Sequence, residues 1–352
     1  MVIQGYQFSV NSILEKLLVR IRSQEKQLNA LSISPELFQK MFKRNYLRQA
    51  YSSTKIEYSL IGFNAAQKVL NLKKAQNEEG REILNVANTH LAMARHLNDR
   101  ISDDLIISIH RQISEGLKGS LTEPNYRPGS YRTIQNYLGD PFSDRISYTF
   151  PDPKKVPKLM QRLSHFTNEK RPIEKLLIPG ISHFIFIAIH PFVNGNGRTA
   201  RVLEDLLLKK AGYNSRNFYN LSEYYYTHLK QYHFFLNRGR EQMDLTEFVE
   251  FYLRGILESQ NNVFHEKIVL ERLARLHELS KKESLDVLDK KILNYLIEKE
   301  ELTMKKALKL TSKKITSEAL RLRFQKYMQW GIMAKTGDYK NAKYIFKIPP
   351  AT

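Results

Sequence analysis

Apolar residues recur at three- and four-residue spacing along most of the chain, and strand-like alternation is scarce. From Ser12 to about Gln76 the helical period is carried first by Ile13, Leu17, Leu18 and Ile21. Glu82 to Leu97 and Asp103 to Leu117 continue it as scaffold, with Ser102 placed to cap the second. Glu123 to Ser130 is turn chemistry. Tyr131 to Leu138 and Arg145 to Phe150 then predict two short strands around Gly139 to Asp144. Helices resume over Val156 to Phe166 and Leu176 to Ile189. Ile181 to Ile189 is too apolar to face water, and Pro191 disfavours helix at His190, so the helix stops there. Thr199 to Lys210, Leu221 to Leu236 and Leu245 to Leu257 predict three more helices, the second rich in tyrosine and phenylalanine. After Gln260 the character changes. Val263 to Leu279 reads as a charged connector helix. Leu285 to Glu298, Met304 to Leu310 and Ile315 to Trp330 predict three helices, and Gly331 to Ile348, turning at Gly337-Asp338, predicts a hairpin. That order reads as a winged helix.

Composition narrows this picture. A chain of 352 residues has ample core, and the absence of cysteine excludes disulfides and thiolate chemistry. Met1 to Val10 lacks a basic segment followed by an apolar stretch, and the run near Ile181 is too short to span a bilayer, so a soluble cytoplasmic protein without a membrane partner is expected. The formal charge of +20 permits an acidic partner such as nucleic acid, and Lys281 to Lys347 holds 17 basic against 8 acidic residues.

Candidate chemistry concentrates in His190-Pro-Phe-Val-Asn194-Gly195-Asn196-Gly197-Arg198-Thr-Ala-Arg201, a loop between an apolar helix and an amphipathic one. Gly-Asn-Gly can turn successive N–H groups inward at positive φ, and such a row at a helix start binds anions. Arg198 and Arg201 share a face in the first turn, the wrong end of the macrodipole for cations unless an anion sits between them. His190 is the loop's one group that takes a proton near neutral pH. The loop therefore suits a polyphosphate beside an imidazole, although a plain Gly-rich turn with a core histidine would share much of this pattern.

This string resembles the Fic signature, His-Pro-Phe-x-(Asp/Glu)-Gly-Asn-Gly-Arg-x-x-Arg, at every specified position but one. The family transfers AMP from ATP to a protein hydroxyl. The resemblance implies that His190 is the base, that Gly195, Asn196 and Gly197 cradle the α- and β-phosphates, and that Arg198 and Arg201 hold the outer ones. Asn194 stands where the family has a carboxylate for Mg²⁺, and a neutral amide offers no charge to hold that ion. Upstream, Ser53 through Glu57 resembles the inhibitory segment (Ser/Thr)-x-x-x-Glu-(Gly/Asn), with Tyr58 departing at the last place. In relatives that glutamate pairs with the second signature arginine, here Arg201, because carboxylate and phosphate want the same guanidinium. Read without the family, Thr54 and Glu57 make a capping box at a helix start.

Pro128-Gly129-x-Tyr131-Arg132-Thr133 resembles the start of the Fic flap, which implies that a target protein docks along residues 131–150 by main-chain pairing. An irregular surface hairpin is the alternative. His228 and Tyr232 lie where relatives wall the nucleobase, and are equally candidates for core. The helix with Arg321, Arg323 and Lys326 would read a major groove if residues 281–352 bind DNA; a protein-docking or dimerisation module fits equally, and a homo-oligomer stays open. The expected fold is mainly α, a Fic-type helical bundle with a small β-hairpin flap and a C-terminal winged-helix domain. Its modules are 1–100 with the inhibitory segment, 101–260 as the Fic core, and 261–352. The expected function is a self-inhibited protein adenylyltransferase using ATP and Mg²⁺. The rival is a nucleotide-sensing DNA-binding regulator with a degenerate site.

Overall fold

The computed structural model describes residues 2–118, 127–139, 146–169, 173–311, 315–337 and 342–347. Its chain divides into two units, Met1–Ser32 with Phe38–Asn262, and Ile33–Leu37 with Val263–Thr352. Residues 1–100 therefore belong largely to the same unit as 101–260. Among the described residues no helix is long and apolar enough to cross a membrane.

The first unit opens with two-residue strands β1 (Val2–Ile3) and β2 (Tyr6–Gln7), antiparallel to one another. Helices α1 (Ser12–Ala30), α2 (Pro35–Ile56), α3 (Phe63–Leu72), α4 (Glu78–Ala92) and α5 (Asp103–Ser114) follow. Asn11, Asn77 and Ser102 cap α1, α4 and α5, each accepting a backbone N–H of the first turn. Strands β3 (Tyr137–Gly139) and β4 (Ile146–Thr149) pair antiparallel, shorter than the sequence pattern suggests. The turn between them at 140–145, and 119–126 with the first half of the turn segment expected at 123–130, lie outside the described residues. Then come α6 (Val156–Asn168), α7 (Leu177–Ile189), α8 (Asn196–Lys210), α9 (Leu221–Thr227), α10 (Leu229–Gln242) and α11 (Thr246–Lys282).

Helix α7 is the centre. Every residue from Pro179 to Ile189 is buried, as an apolar face all round requires. It packs on α6 and α8, and at Gly180 the Tyr252 ring of α11 lies so close that a Cβ would come within 2.5 Å of it. Three boundaries differ from the sequence pattern. α8 begins at Asn196, three residues early, because the Gly195 turn already sets its first turn. The single helix expected over 221–236 is two, broken at His228 (φ −111°, ψ 36°). The two helices expected over 245–257 and 263–279 are one: α11 runs 37 residues without a Gly or Pro after Gly255, about 55 Å, so the division between the units falls inside a continuous helix.

The second unit has α12 (Val287–Lys299), β5 (Glu301–Thr303), α13 (Met304–Leu310), α14 (Ser317–Gln329), β6 (Met333–Thr336) and β7 (Lys343–Phe346), with sheet order β5-β7-β6, all antiparallel. Its core gathers Ile292, Leu296, Leu302, Leu320, Phe324 and Tyr327. β5 went unanticipated, since three residues are too few for alternation to register. Asp286 and Asp289 form a capping box on α12, and Arg323 of α14 clasps both carboxylates. Arg321 and Lys326 are exposed, Lys326 lying over the Trp330 ring at 4.5 Å. Asp338 of the expected hairpin turn is outside the described residues.

Candidate active site

Two positive-φ residues make the loop between α7 and α8. α7 ends as His190 turns left-handed (φ 52°, ψ 62°), its N–H still reaching the Phe186 carbonyl at 2.9 Å. Gly195 (φ 75°) then opens α8. Between them the Asn196 side chain closes a ring on Phe192, accepting its N–H at 2.9 Å and donating to its carbonyl at 2.8 Å. The Asn196 amide is thus committed to shaping the turn, and what it can offer an anion is its backbone N–H.

The loop rests on His110 of α5. Its Nδ1 accepts the Gly129 N–H at 3.0 Å, which puts the ring proton on Nε2, 3.0 Å from the Asn194 carbonyl and 3.1 Å from Ser114 Oγ. The ring lies flat on Phe192, 3.7 Å between centroids. Burial lowers its pKa to about 4, in keeping with a neutral ring that accepts at one nitrogen and donates at the other. Arg132, almost wholly buried, ties the flap to the end of α7. Its backbone N–H donates to the Pro191 carbonyl at 2.8 Å and its Nε to the His190 carbonyl at 2.8 Å, and the guanidinium also reaches the carbonyls of Ile134 and Pro151. A cation at a helix C-terminus is well placed for the macrodipole.

The His190 ring stacks on Phe150, 4.1 Å between centroids, and Arg240 lies over Tyr148 and Phe150 behind it. Burial, then the Arg240 charge, lower its pKa to about 4, against a smaller opposing pull from Glu57. At neutral pH the imidazole is therefore an uncharged base.

Both signature arginines are buried and engaged. Arg201 donates from Nε to Ser53 Oγ at 2.9 Å, and from its terminal nitrogen to the Ser53 carbonyl at 2.8 Å and to Glu57 Oε1 at 2.7 Å. Arg198 pairs with Glu82 of α4 and donates to Asn194 Oδ1 at 3.1 Å. A Cβ on Gly197 would fall 2.1 Å from Glu57 Oε1 and 3.0 Å from Arg201. The Glu57 carboxylate thus lies against the bare start of α8, where an anion would sit. Burial pushes its pKa up, but Arg201 and Arg198 outweigh that and hold it below the ordinary value. Glu82 goes the other way: burial raises it and Glu57, Glu78 and Glu79 add to the rise, against Arg198. Glu57, Glu82, Gly197 and Arg198 line a cavity of about 380 Å³ with Tyr58, His190, Val193, Asn194, Gly195 and Asn196, and Arg201 stands behind Glu57.

Thr54 and Glu57 do not form a capping box. α2 runs from Pro35 with Met41, Leu47, Ala50 and Ile56 buried, so Thr54 sits in its last turn, donating back to the Tyr51 carbonyl at 2.9 Å, and Glu57 follows the helix end. Tyr58, at the place where the family pattern has Gly or Asn, is left-handed (φ 63°).

Tyr232 is buried with its hydroxyl 2.8 Å from His183 Nε2 and its ring on Tyr225, while His228 is half-buried against Tyr224 with Nδ1 3.1 Å from the Tyr224 carbonyl. Neither lines the cavity. Asn194 Oδ1 already accepts from Gly195 N–H and Arg198, and among the described residues no three His, Asp or Glu side chains converge as metal ligands. As placed, these protein groups do not fit a resident Mg²⁺. Sequence reasoning missed His110, Glu82 and Arg240. The first two sit in helices that read as scaffold, and the available signal was a histidine and a glutamate amid apolar helix positions.

Residues 100–208 match the Fic/DOC family. The chain is similar to protein adenylyltransferase Fic of Drosophila grimshawi, 26% identical over 219 residues that cover 58% of this chain and 41% of that protein. It is 27% identical over 214 residues to the Drosophila mojavensis protein of the same name, covering 56% and 39%. The chain thus spans about two fifths of these relatives' length. Its fold resembles a crystal structure of a Fic family protein from Desulfovibrio desulfuricans G20 (TM-score 0.62, 19% identity, 99% of this chain and 100% of that one). It also resembles Fic-1, residues 134–508, from C. elegans (TM-score 0.54, 21% identity, 72% and 71%).

Proposed function

We propose that this chain, a Fic/DOC family protein and a distant homologue of protein adenylyltransferase Fic, moves AMP from ATP to a hydroxyl side chain of a protein and holds itself inhibited. The observation that carries this reading is the Glu57 carboxylate lying against Gly197 and Arg201 beside a neutral His190. When Glu57 withdraws, the N–H groups at the start of α8 and the Arg201 guanidinium face the donor's phosphates. His190 then takes the proton of the incoming hydroxyl, whose oxygen forms a bond to the α-phosphorus. The bond from that phosphorus to the β-phosphate bridging oxygen breaks, and pyrophosphate leaves with the electron pair. Catalysis is positioning and charge stabilisation, with proton transfer at one imidazole. Mg²⁺ carried in with ATP would add charge neutralisation at the phosphates.

The flap pair β3-β4, anchored by Arg132, leaves Tyr137 and Leu138 exposed and supports docking of a target segment along 131–150. In the second unit the order helix, strand, helix, helix, strand, strand supports a winged-helix module. Arg323 is taken up by its clasp, so an acidic partner, DNA included, would meet Arg321 and Lys326. The test of the main reading is incubation of the purified chain with labelled ATP and Mg²⁺. Glu57→Gly incorporating label above wild type, and losing it with His190→Ala, is expected. No incorporation by Glu57→Gly with any protein acceptor offered rejects transfer.

A further inference from the structure

The two arginines at this site are held alike but from different places. Arg201 meets Glu57, which follows α2; Arg198 meets Glu82, which belongs to α4. Both guanidiniums are about 1% exposed, so neither can satisfy its charge in water. With both glutamates in place the site's two cations are balanced by two protein anions. An anionic donor then gains little from either arginine unless a carboxylate leaves. Withdrawal of Glu57 alone clears Gly197 and Arg201 but leaves Arg198 neutralised.

We propose that Glu82 is a second carboxylate gate on the donor site, occupying Arg198 as Glu57 occupies Arg201, so that a nucleoside triphosphate must displace both to seat its outer phosphates. The inference rests on reading this cavity as a nucleoside triphosphate site. The two carboxylates differ in their electrostatic surroundings. Glu82 shares its surroundings with Glu57, Glu78 and Glu79, which repel it, whereas Glu57 is drawn by Arg201 and Arg198 together. The chemistry sets a specificity as well. A donor with outer phosphates can compete for Arg198, and a nucleoside monophosphate has nothing to offer it.

The test is calorimetric titration of the full chain with ATP and, separately, with AMP, for wild type, Glu57→Gly, Glu82→Gln and the double variant. Glu82→Gln is expected to tighten ATP binding about fivefold or more in the Glu57→Gly background and to leave AMP within about twofold. Glu82→Asp, which keeps a carboxylate on a shorter stem, should fall between wild type and Glu82→Gln, and thermal midpoints of all variants show that each is folded. Weaker ATP binding in Glu82→Gln would overturn the proposal, because Glu82 would then be orienting Arg198 for phosphate. Unchanged ATP binding would overturn it too, since Arg198 would then not serve the donor. ATP binding to none of the variants, Glu57→Gly included, would instead reject the nucleotide reading, and this inference with it.

Discussion

In the stretch from His190 to Arg201, two arginines in the first two turns of α8 reach carboxylates on two other segments beside a cavity. In the C-terminal unit, Arg323 reaches Asp286 and Asp289 within a closed helix pair. The same ion pairs serve different ends because of what surrounds them. Arg323 ties down a capping box that α12 needs in any case, and the Tyr327 hydroxyl completes the clasp. Arg198 sits in the first turn of α8, where the macrodipole repels cations, and Arg201 one turn on, with Gly197 kept bare beside them, so their carboxylates occupy space that another anion can claim. An arginine pair at a helix N-terminus facing a cavity therefore supports exchange of ligands. A pair closed between helices supports only the fold.

The sharpest way to break this contrast is His190→Ala. If the loop is machinery, label incorporation in the Glu57→Gly background falls by about 100-fold or more while ATP binding is nearly unchanged. Equal loss of binding and transfer would make the loop a structural turn. Next is Glu57→Gly itself, expected to raise self-labelling about tenfold, with Arg201→Ala abolishing the gain because inhibition and outer-phosphate binding share that residue. A Glu57→Gly protein no more active than wild type would reduce the Arg201 pair to the status of the Arg323 clasp.

A third prediction uses the two histidines whose burial holds their pKa near 4. Between about pH 6.5 and 4 the unfolded chain binds protons at these positions that the folded chain refuses, so the stability they confer is complete above 6.5 and lost as pH falls towards 4. The loss is up to about 3 kcal/mol for each. Thermal midpoints of wild type, His110→Gln and His190→Gln between pH 4 and 7 check it; equal acid sensitivity in all three would remove this origin. Transfer should keep a neutral base to well below pH 6.5. Fourth, Arg323→Ala leaves Asp289 short of a partner and is expected to cost about 1–3 kcal/mol without changing label incorporation. A change in incorporation would show that the clasp is more than structural. The smallest effect is that of Tyr58→Gly, which relieves a left-handed tyrosine and should raise stability by at most about 1 kcal/mol, read from denaturant midpoints.

Much of the fold was legible because helices carry their period locally. Ser102 before α5, the apolar run of α7 and Pro191 after it are signals within a few residues of what they set. The helix split at His228 and the continuity of α11 were not, since a one-residue break and an unbroken polar stretch leave no mark in hydrophobic spacing.

The sequence by itself determined the loop: Gly195 dictates the turn, Gly197 leaves the start of the next helix bare, the arginine spacing dictates a shared face, and His190 falls next to the proline that ends its helix. Only the tertiary structure decided what those groups face. It placed Glu57 after the end of α2 rather than at a helix start, brought Glu82 to Arg198, turned the Asn194 amide onto that arginine, and set His110 beneath Phe192 with one nitrogen on the flap and the other on the loop. The reason is range. Turn and helix preferences act between neighbours along the chain, whereas ion pairing and burial act between residues more than a hundred positions apart, and nothing in local spacing records which helix will come alongside.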